Sequence, residues 1–360
     1  MSRIQNRLIA PVIVGLLLLW SPPGAEAGKN KKSNKPTAGR QVQFKETEGG
    51  PWRYLGKLGS RTDLSMGFDV DPKGEANGWL RYGASGTNLI LKGTLAADGA
   101  FSFGESRIPA ENEAQGEVTG SIEGRFEAGK VKGTGIWRSP DGKKEYPLTL
   151  ALVQRTRRIK ASGPCCEGEG SWPVFSDPRF RKVQIAFANE VRSAVHSFVA
   201  EYGDCPEDDG EWPSNIEFLA HIDVMYFSQN LVSARSSEWG YYGGAHGQGS
   251  SHGVNYEVKA DGSYAEVPLS RYFKRSSGWE SRVSATIVKE LKAEGASSAE
   301  EMEPDAYANE LAESTNYTVD KAGLRFHFDP YEVGAYAEGV FDIFIPFSSL
   351  KAFLAADRPR

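Results

Sequence analysis

Apolar positions in this chain follow two different periods, and the change falls near residue 170. Residues 51–154 alternate apolar and polar side chains in short runs: Tyr54–Leu58, Leu64–Val70, Gly78–Tyr82, Leu89–Leu95, Ala100–Glu105, Glu117–Phe126, Val131–Arg138 and Tyr146–Val153. A period of two turns one face of an extended strand inward. Between the runs sit Asp71-Pro72-Lys73-Gly74, Asp98-Gly99, Glu127-Ala128-Gly129 and Pro140-Asp141-Gly142, residues suited to tight turns. Short strands at this spacing predict an antiparallel meander, closed as a small barrel or folded as a sandwich. Closure removes the bare edge that an open meander would leave. Trp79, Tyr82, Phe101, Phe103, Phe126 and Trp137 either fill the interior of such a barrel or line a cavity in it.

From Ser171 the pattern becomes mixed. Ser171–Phe175 reads as a strand, and Ser176-Asp177-Pro178 is a helix start signal. Val183, Phe187, Val191, Val195 and Phe198 then recur at helical spacing, predicting one helix over 178–202. Strands are predicted at 216–227, 231–242 and 254–258, with Asp261-Gly262 opening a further hairpin. Helices are expected at 279–293, at the acidic stretch 298–312 and at 348–354, with strands at 317–319, 324–328 and 339–346. Helices and antiparallel strands in blocks describe an α+β fold. The fold class is therefore a mainly β N-terminal domain over 51–158 joined to an α+β domain over 171–356, antiparallel in its sheet and packed with helices.

The N-terminus changes the picture of where this fold works. Arg3 and Arg7 precede an apolar run, Leu8–Trp20, and Ala25-Glu26-Ala27 is a small-x-small site. This is the layout of a cleaved signal peptide over 1–27. The 13-residue run is short of the ~20 needed to span a bilayer. No transmembrane segment is expected after cleavage, and the location is periplasmic or secreted. Residues 28–50 read as a basic flexible linker, carrying Lys29, Lys31, Lys32, Lys35 and Arg40.

Charge then divides the chain unevenly. Residues 41–159 hold 17 basic and 15 acidic side chains, whereas 160–360 hold 18 basic and 31 acidic, a net charge of −13. Such a surface repels nucleic acid and attracts cationic partners. The three cysteines suit an oxidising compartment, with Cys205 paired to either Cys165 or Cys166 and residues 159–170 serving as a linker with the Cys pair. Adjacent cysteines rarely bridge each other. No histidine or further cysteine at ligand spacing supports a metal, and no motif calls for a cofactor.

The second half also resembles a known family. The residues are Trp172-Pro173-Val174-Phe175-Ser176-Asp177, the central Tyr241-Tyr242-Gly243-Gly244-Ala245-His246-Gly247 and Asn255-Tyr256 leading to Asp261-Gly262. The Leu269–Phe273 segment and Leu324-Arg325-Phe326-His327-Phe328-Asp329-Pro330-Tyr331-Glu332-Val333-Gly334 complete the set. Over about 170–355 this order resembles the extracytoplasmic domain of the RsiV anti-sigma factors. That domain also precedes the catalytic part of the deacetylase PdaC and is catalogued as domain of unknown function 3298. The resemblance implies an envelope binding module with lysozyme, another cationic envelope protein or cell-wall glycan as ligand. Neither a sigma-binding segment nor a deacetylase domain accompanies it here, so signalling and deacetylation do not carry over.

The expected function is an exported envelope-binding protein and not an enzyme, with Tyr241, Tyr242, His246 and Tyr331 as candidate binding residues. Two alternatives remain. Gly249-Ser250-Ser251-His252-Gly253 matches the Gly-x-Ser-x-Gly hydrolase pattern, which would make Ser251 with His246 catalytic. That elbow requires a strand before it and a helix after it, whereas Val254–Val258 reads as a strand. The other alternative is a purely structural envelope role.

Overall fold

The alternating segment closes on itself. In the computed structural model, which describes residues 42–83, 88–109, 116–203, 216–314 and 316–359, eight antiparallel strands follow one another. They are β1 (Gln43–Leu58), β2 (Thr62–Val70), β3 (Glu75–Tyr82), β4 (Leu89–Leu95), β5 (Ala100–Arg107), β6 (Val118–Phe126), β7 (Lys132–Arg138) and β8 (Glu145–Ser162). Each pairs with its neighbour in sequence, and β1 pairs back with β8, which makes the barrel. The signal segment 1–27 lies outside the described residues.

Aromatic side chains fill the barrel. Tyr54, Met66, Phe68, Leu80, Leu91, Phe103 and Ile122 are at most 1% exposed. The rings of Tyr54, Phe68, Phe101, Phe103 and Phe126 meet with centroids 4.8 to 6.1 Å apart. Rings packed this closely take up the interior volume of a small barrel. Trp79 instead sits outside the barrel under the Arg53 guanidinium, 5.5 Å from the ring centroid. Tyr82 and Trp137 both donate to the buried carboxylate of Glu105, Trp137 Nε1 at 3.0 Å. Glycine is needed where strands crowd: a Cβ on Gly78 would collide with the Gly67 carbonyl, and one on Gly124 with that of Thr134.

Two barrel strands run on into the rest of the molecule. Gln43–Gly49 of β1 pairs with Thr156–Ser162 of β8. The free side of β8, Gln154–Ser162, pairs with β9 (Cys166–Phe175). Residues 43–50 and 159–170, expected as parts of linkers, therefore lie largely in strands, because their backbone groups find partners in the same sheet. β1 and β8 consequently carry the barrel sheet directly into β9 and the strands after it.

Helix α1 (Arg181–Tyr202) follows β9 and buries the predicted stripe of Val183, Phe187, Val191, Val195 and Phe198. It carries the chain across to β10 (Ile216–Phe227), which pairs parallel with β9. Antiparallel β11 (Leu231–Tyr241), β12 (Gln248–Val258) and β13 (Tyr264–Glu266) complete a 13-stranded sheet. Helix α2 (Trp279–Ala293) then packs Val283, Ile287 and Leu291 against a second sheet of β14 (Tyr317–Val319), β15 (Gly323–Phe328) and β16 (Phe341–Pro346). Among the described residues no helix is long and apolar enough to cross a membrane.

Two predicted helices are not α-helical. Residues 298–312 form short 3₁₀ turns at Ser297–Glu301 and Leu311–Glu313; Pro304, which lacks an N–H, interrupts the stretch. Residues 348–354 make consecutive turns, because Phe353 O accepts from Lys274 N and Leu354 bridges Phe273.

The second sheet is joined to the first through polar groups. Val232, Ala234 and Val254 face the α1 core, while Ser233 and Asn255, opposite one another in register, face β14. Ser233 Oγ donates to Asn255 Oδ1 at 2.6 Å and accepts from Val319 N at 2.7 Å. Asn255 Nδ2 donates to Tyr317 O at 2.9 Å. Both side chains are at most 2% exposed, so each bond replaces water that cannot enter. Asn255→Ala leaves Tyr317 O and Ser233 Oγ without these partners and is expected to destabilise the fold by about 2–3 kcal/mol. Urea unfolding followed by tryptophan fluorescence measures it, and a loss under about 0.5 kcal/mol would remove this joint from the account.

Candidate functional site

Ser251 lies mid-strand in β12, with no helix following it. Its Oγ donates to Asp329 Oδ1 at 2.7 Å and accepts from Arg235 Nη2 at 2.9 Å, while its backbone N–H donates to Asp329 Oδ2. Arg235 extends the network, with Nη1 3.6 Å from Asp342 Oδ1. Asp342 Oδ1 accepts from His327 Nδ1 at 2.6 Å, and His327 Nε2 is 2.9 Å from Thr318 Oγ1.

Thr318, His327 and Asp342 have the connectivity of a nucleophile–base–acid triad. Thr318 and His327 are nevertheless 1% and 0% exposed, so no substrate reaches the hydroxyl. Ser251, half-buried at the other end of the network, has a carboxylate and a guanidinium as side-chain partners. A serine nucleophile needs a base that takes its proton. His252 lies on the opposite face of β12, 3.9 Å from Glu190. His246 Nδ1 donates to Gly247 O at 2.9 Å. The arrangement holds two sheets together and pairs the Ser251 hydroxyl with Asp329 and Arg235 and not with a histidine.

Burial by itself would raise the Asp342 carboxyl, but the His327 hydrogen bond and the charges of His327, Arg235 and Arg325 together hold it below its ordinary value. Arg235 Nε is buried without a partner. Among the described residues no three His, Cys, Asp or Glu side chains gather as a metal-holding group.

The four expected binding residues separate. His246 and Tyr331 come together: the Tyr331 hydroxyl is 3.5 Å from His246 Nε2. Between them stands Tyr336, stacked on His246 at 3.8 Å and 18° and 5.6 Å from the Tyr331 ring. Tyr336 also donates to Gly247 O at 3.0 Å. Gly247 is required here, since a Cβ would enter the Trp239 indole. Tyr241 closes its own loop by donating to Gly244 O at 3.1 Å. Tyr242 turns toward α1, 5.1 Å from the Tyr202 ring.

His246, Tyr331 and Tyr336 thus form an aromatic platform at the surface. Tyr331 is 63% exposed and has φ +75°, a left-handed conformation disfavoured for a bulky side chain. Its loop is held by Asp329, which binds Ser251, and by Glu332 Oε2, which accepts Asp329 N at 2.7 Å. Nothing in the local sequence marks Arg235, Thr318 or Tyr336, whereas Asp342 is visible there as one of the carboxylates Asp329, Glu332, Glu338 and Asp342, a set that could suggest acid–base work but is explained by a strand ending in a turn. His327 carried a weak signal as a polar residue inside the apolar strand Leu324–Phe328.

Cys166 is a buried free thiol, pushed above its usual pKa by burial and then by Glu167. Cys165 is not free. Cys205 lies outside the described residues.

Residues 272–348 match the family described as Protein of unknown function (DUF3298). They run from Tyr272 through α2 and the second sheet, the last part of the stretch over which the resemblance was read. Among solved structures, a DUF3298 family member from Bacteroides fragilis is 17% identical, covering 53% of this chain and 85% of its own, with a TM-score of 0.33. A DUF3298 family protein from Pseudomonas aeruginosa is 15% identical, covering 57% of this chain and 96% of its own, with a TM-score of 0.39. No curated protein matches the chain significantly.

Asp342→Ala removes the Nδ1 partner of buried His327 and is expected to destabilise the protein by about 1–3 kcal/mol at pH 7. The wild-type carboxyl is depressed below 3.8 in the folded state. Its contribution is therefore fully present above that pH and lost as pH falls through the lower folded value. Urea unfolding of both proteins at pH 7 and pH 3 should show the gap narrowing in acid, and a gap that widens would contradict the assignment.

Proposed function

We propose that this chain, with its DUF3298 domain at residues 272–348, is an exported envelope-binding protein that seats cell-wall glycan on the His246–Tyr331–Tyr336 platform. One observation carries the reading: an exposed tyrosine in a left-handed conformation beside a stacked histidine–tyrosine pair. Strained residues persist where surrounding structure over-determines them, and they cluster at ligand sites. Aromatic rings offer large rigid contact area at little entropic cost, which suits the apolar faces of sugar rings. The signal-type segment over 1–27 supports export to the periplasm or beyond.

The hydrolase alternative has less support. Ser251 is tied between Arg235 and Asp329, and His246 is stacked under Tyr336. Both groups are accounted for by packing. A purely structural role corresponds to finding no soluble or wall-derived ligand at all.

Cosedimentation of the mature chain with insoluble peptidoglycan, and its titration with N-acetylglucosamine oligomers, tests the glycan reading. Tyr331→Gly is expected to weaken binding ~10-fold, as loss of an interface aromatic does. The same change should raise stability by about 1 kcal/mol, because glycine accepts the left-handed backbone. Wild-type protein that stays in the supernatant, or a variant that binds equally well, would end the proposal.

A second reading rests on charge. The net −13 over residues 160–360 favours encounter with a cationic protein such as lysozyme. Titration of animal-type lysozyme into the mature chain should then show affinity falling steeply between 50 and 300 mM salt, screening being the cause. Absence of binding at low salt rejects it.

A further inference from the structure

We propose that the cavity between α2, residues 307–314, Asn316 and β15 binds a small amphipathic amine, an ammonium group carried on an extended alkyl chain. None of the platform rings lines this cavity, and Glu332, which holds the Tyr331 loop, is the residue the two sites share. Its volume is ≈ 290 Å³, at the lower end of the range in which proteins hold small molecules.

The lining divides by chemistry. Ile287, Leu311, Phe326, Phe328 and Val333 supply an apolar wall that matches an alkyl chain. Glu310 and Glu332 supply two carboxylates, and among the described residues no Lys or Arg lines the cavity. An ammonium supplies three donors and no acceptor.

Electrostatics agree with the geometry. Burial pushes the Glu332 carboxyl above its usual value, and the Asp329 carboxylate adds to this. A cation bound alongside would relieve both effects. The Tyr307 hydroxyl is pushed up to about 12 by burial, with Glu332 and then Glu310 contributing. Both carboxylates therefore act on one wall of the cavity. Glu332 is also set in position, because its Oε2 accepts the Asp329 N–H at 2.7 Å. Neutral alcohols satisfy the apolar wall alone, and carboxylates meet like charge.

Calorimetric titration of the mature chain with hexylammonium chloride, hexanol and sodium hexanoate tests this. Hexylammonium is expected to bind ~10-fold more tightly than hexanol, a difference of about 1.4 kcal/mol, with no binding of hexanoate. Glu310→Gln combined with Glu332→Gln, isosteric changes in which the amide oxygen at position 332 can still accept the Asp329 N–H, should bring hexylammonium down to the hexanol level without unfolding the protein. A blocked lysine tripeptide in the same titration separates the sources: tighter binding than hexylammonium assigns the site to a protein side chain, weaker binding to a free amine. No heat from hexylammonium at millimolar concentration, equal affinity for all three probes, or an unaffected double variant would each overturn the proposal.

Discussion

Inside the C-terminal half, the backbone of β14 and the guanidinium of Arg235 both require partners where water has little access. The structure answers with side chains from the opposing sheet. Ser233 and Asn255 take up the Val319 N–H and the Tyr317 carbonyl, and Asp329 and Asp342 flank Arg235. Apolar contact alone is non-directional and would allow one sheet to slide over the other. Hydrogen-bonded groups in a low-dielectric interior permit one arrangement, because each alternative leaves a donor or acceptor unpaired. The surface platform depends on this joint: Asp329 grips Ser251 and fixes the loop that brings Tyr331 and Tyr336 over His246.

The barrel and the second region are mechanically continuous. Strands β1 and β8 pass through both, and α1 clasps the extension of β1 through Arg192, bonded to Glu46 at 2.7 Å, and through His196, stacked on Phe44 at 4.1 Å. The packed aromatic interior leaves the barrel as a rigid frame. Chemistry-bearing side chains concentrate instead where the two sheets of the C-terminal half meet.

Much of the fold was legible from period alone. All eight barrel strands follow from alternation, and α1 and α2 from helical spacing such as that of Val183, Phe187 and Val191 in α1, which permits one buried face. The failures have physical causes. Residues 43–50 and 159–170 are polar and look like linkers, yet their backbone pairs along β1, β8 and β9. Propensity cannot anticipate partners that distant. In the site, His246 and Tyr331 were visible as glycine-flanked or proline-adjacent aromatics. Tyr336 looked ordinary and Asp342 was only one of several nearby carboxylates, because their roles lie in neighbours 90 and 107 residues away, at His246 and Arg235.

The amino-acid order by itself determined the two periods, the turns that separate the strands, the acidic bias of the C-terminal half and the absence of a helix after Ser251. Each is a local property, readable within one turn or one strand pair. Only the tertiary structure decided which groups are reactive and which are bound. It buried a threonine–histidine–aspartate chain beyond reach, gave Ser251 a carboxylate and a guanidinium in place of a histidine, and stacked His246 beneath Tyr336. Those outcomes depend on burial and on distances between remote strands, which residue order constrains but does not display.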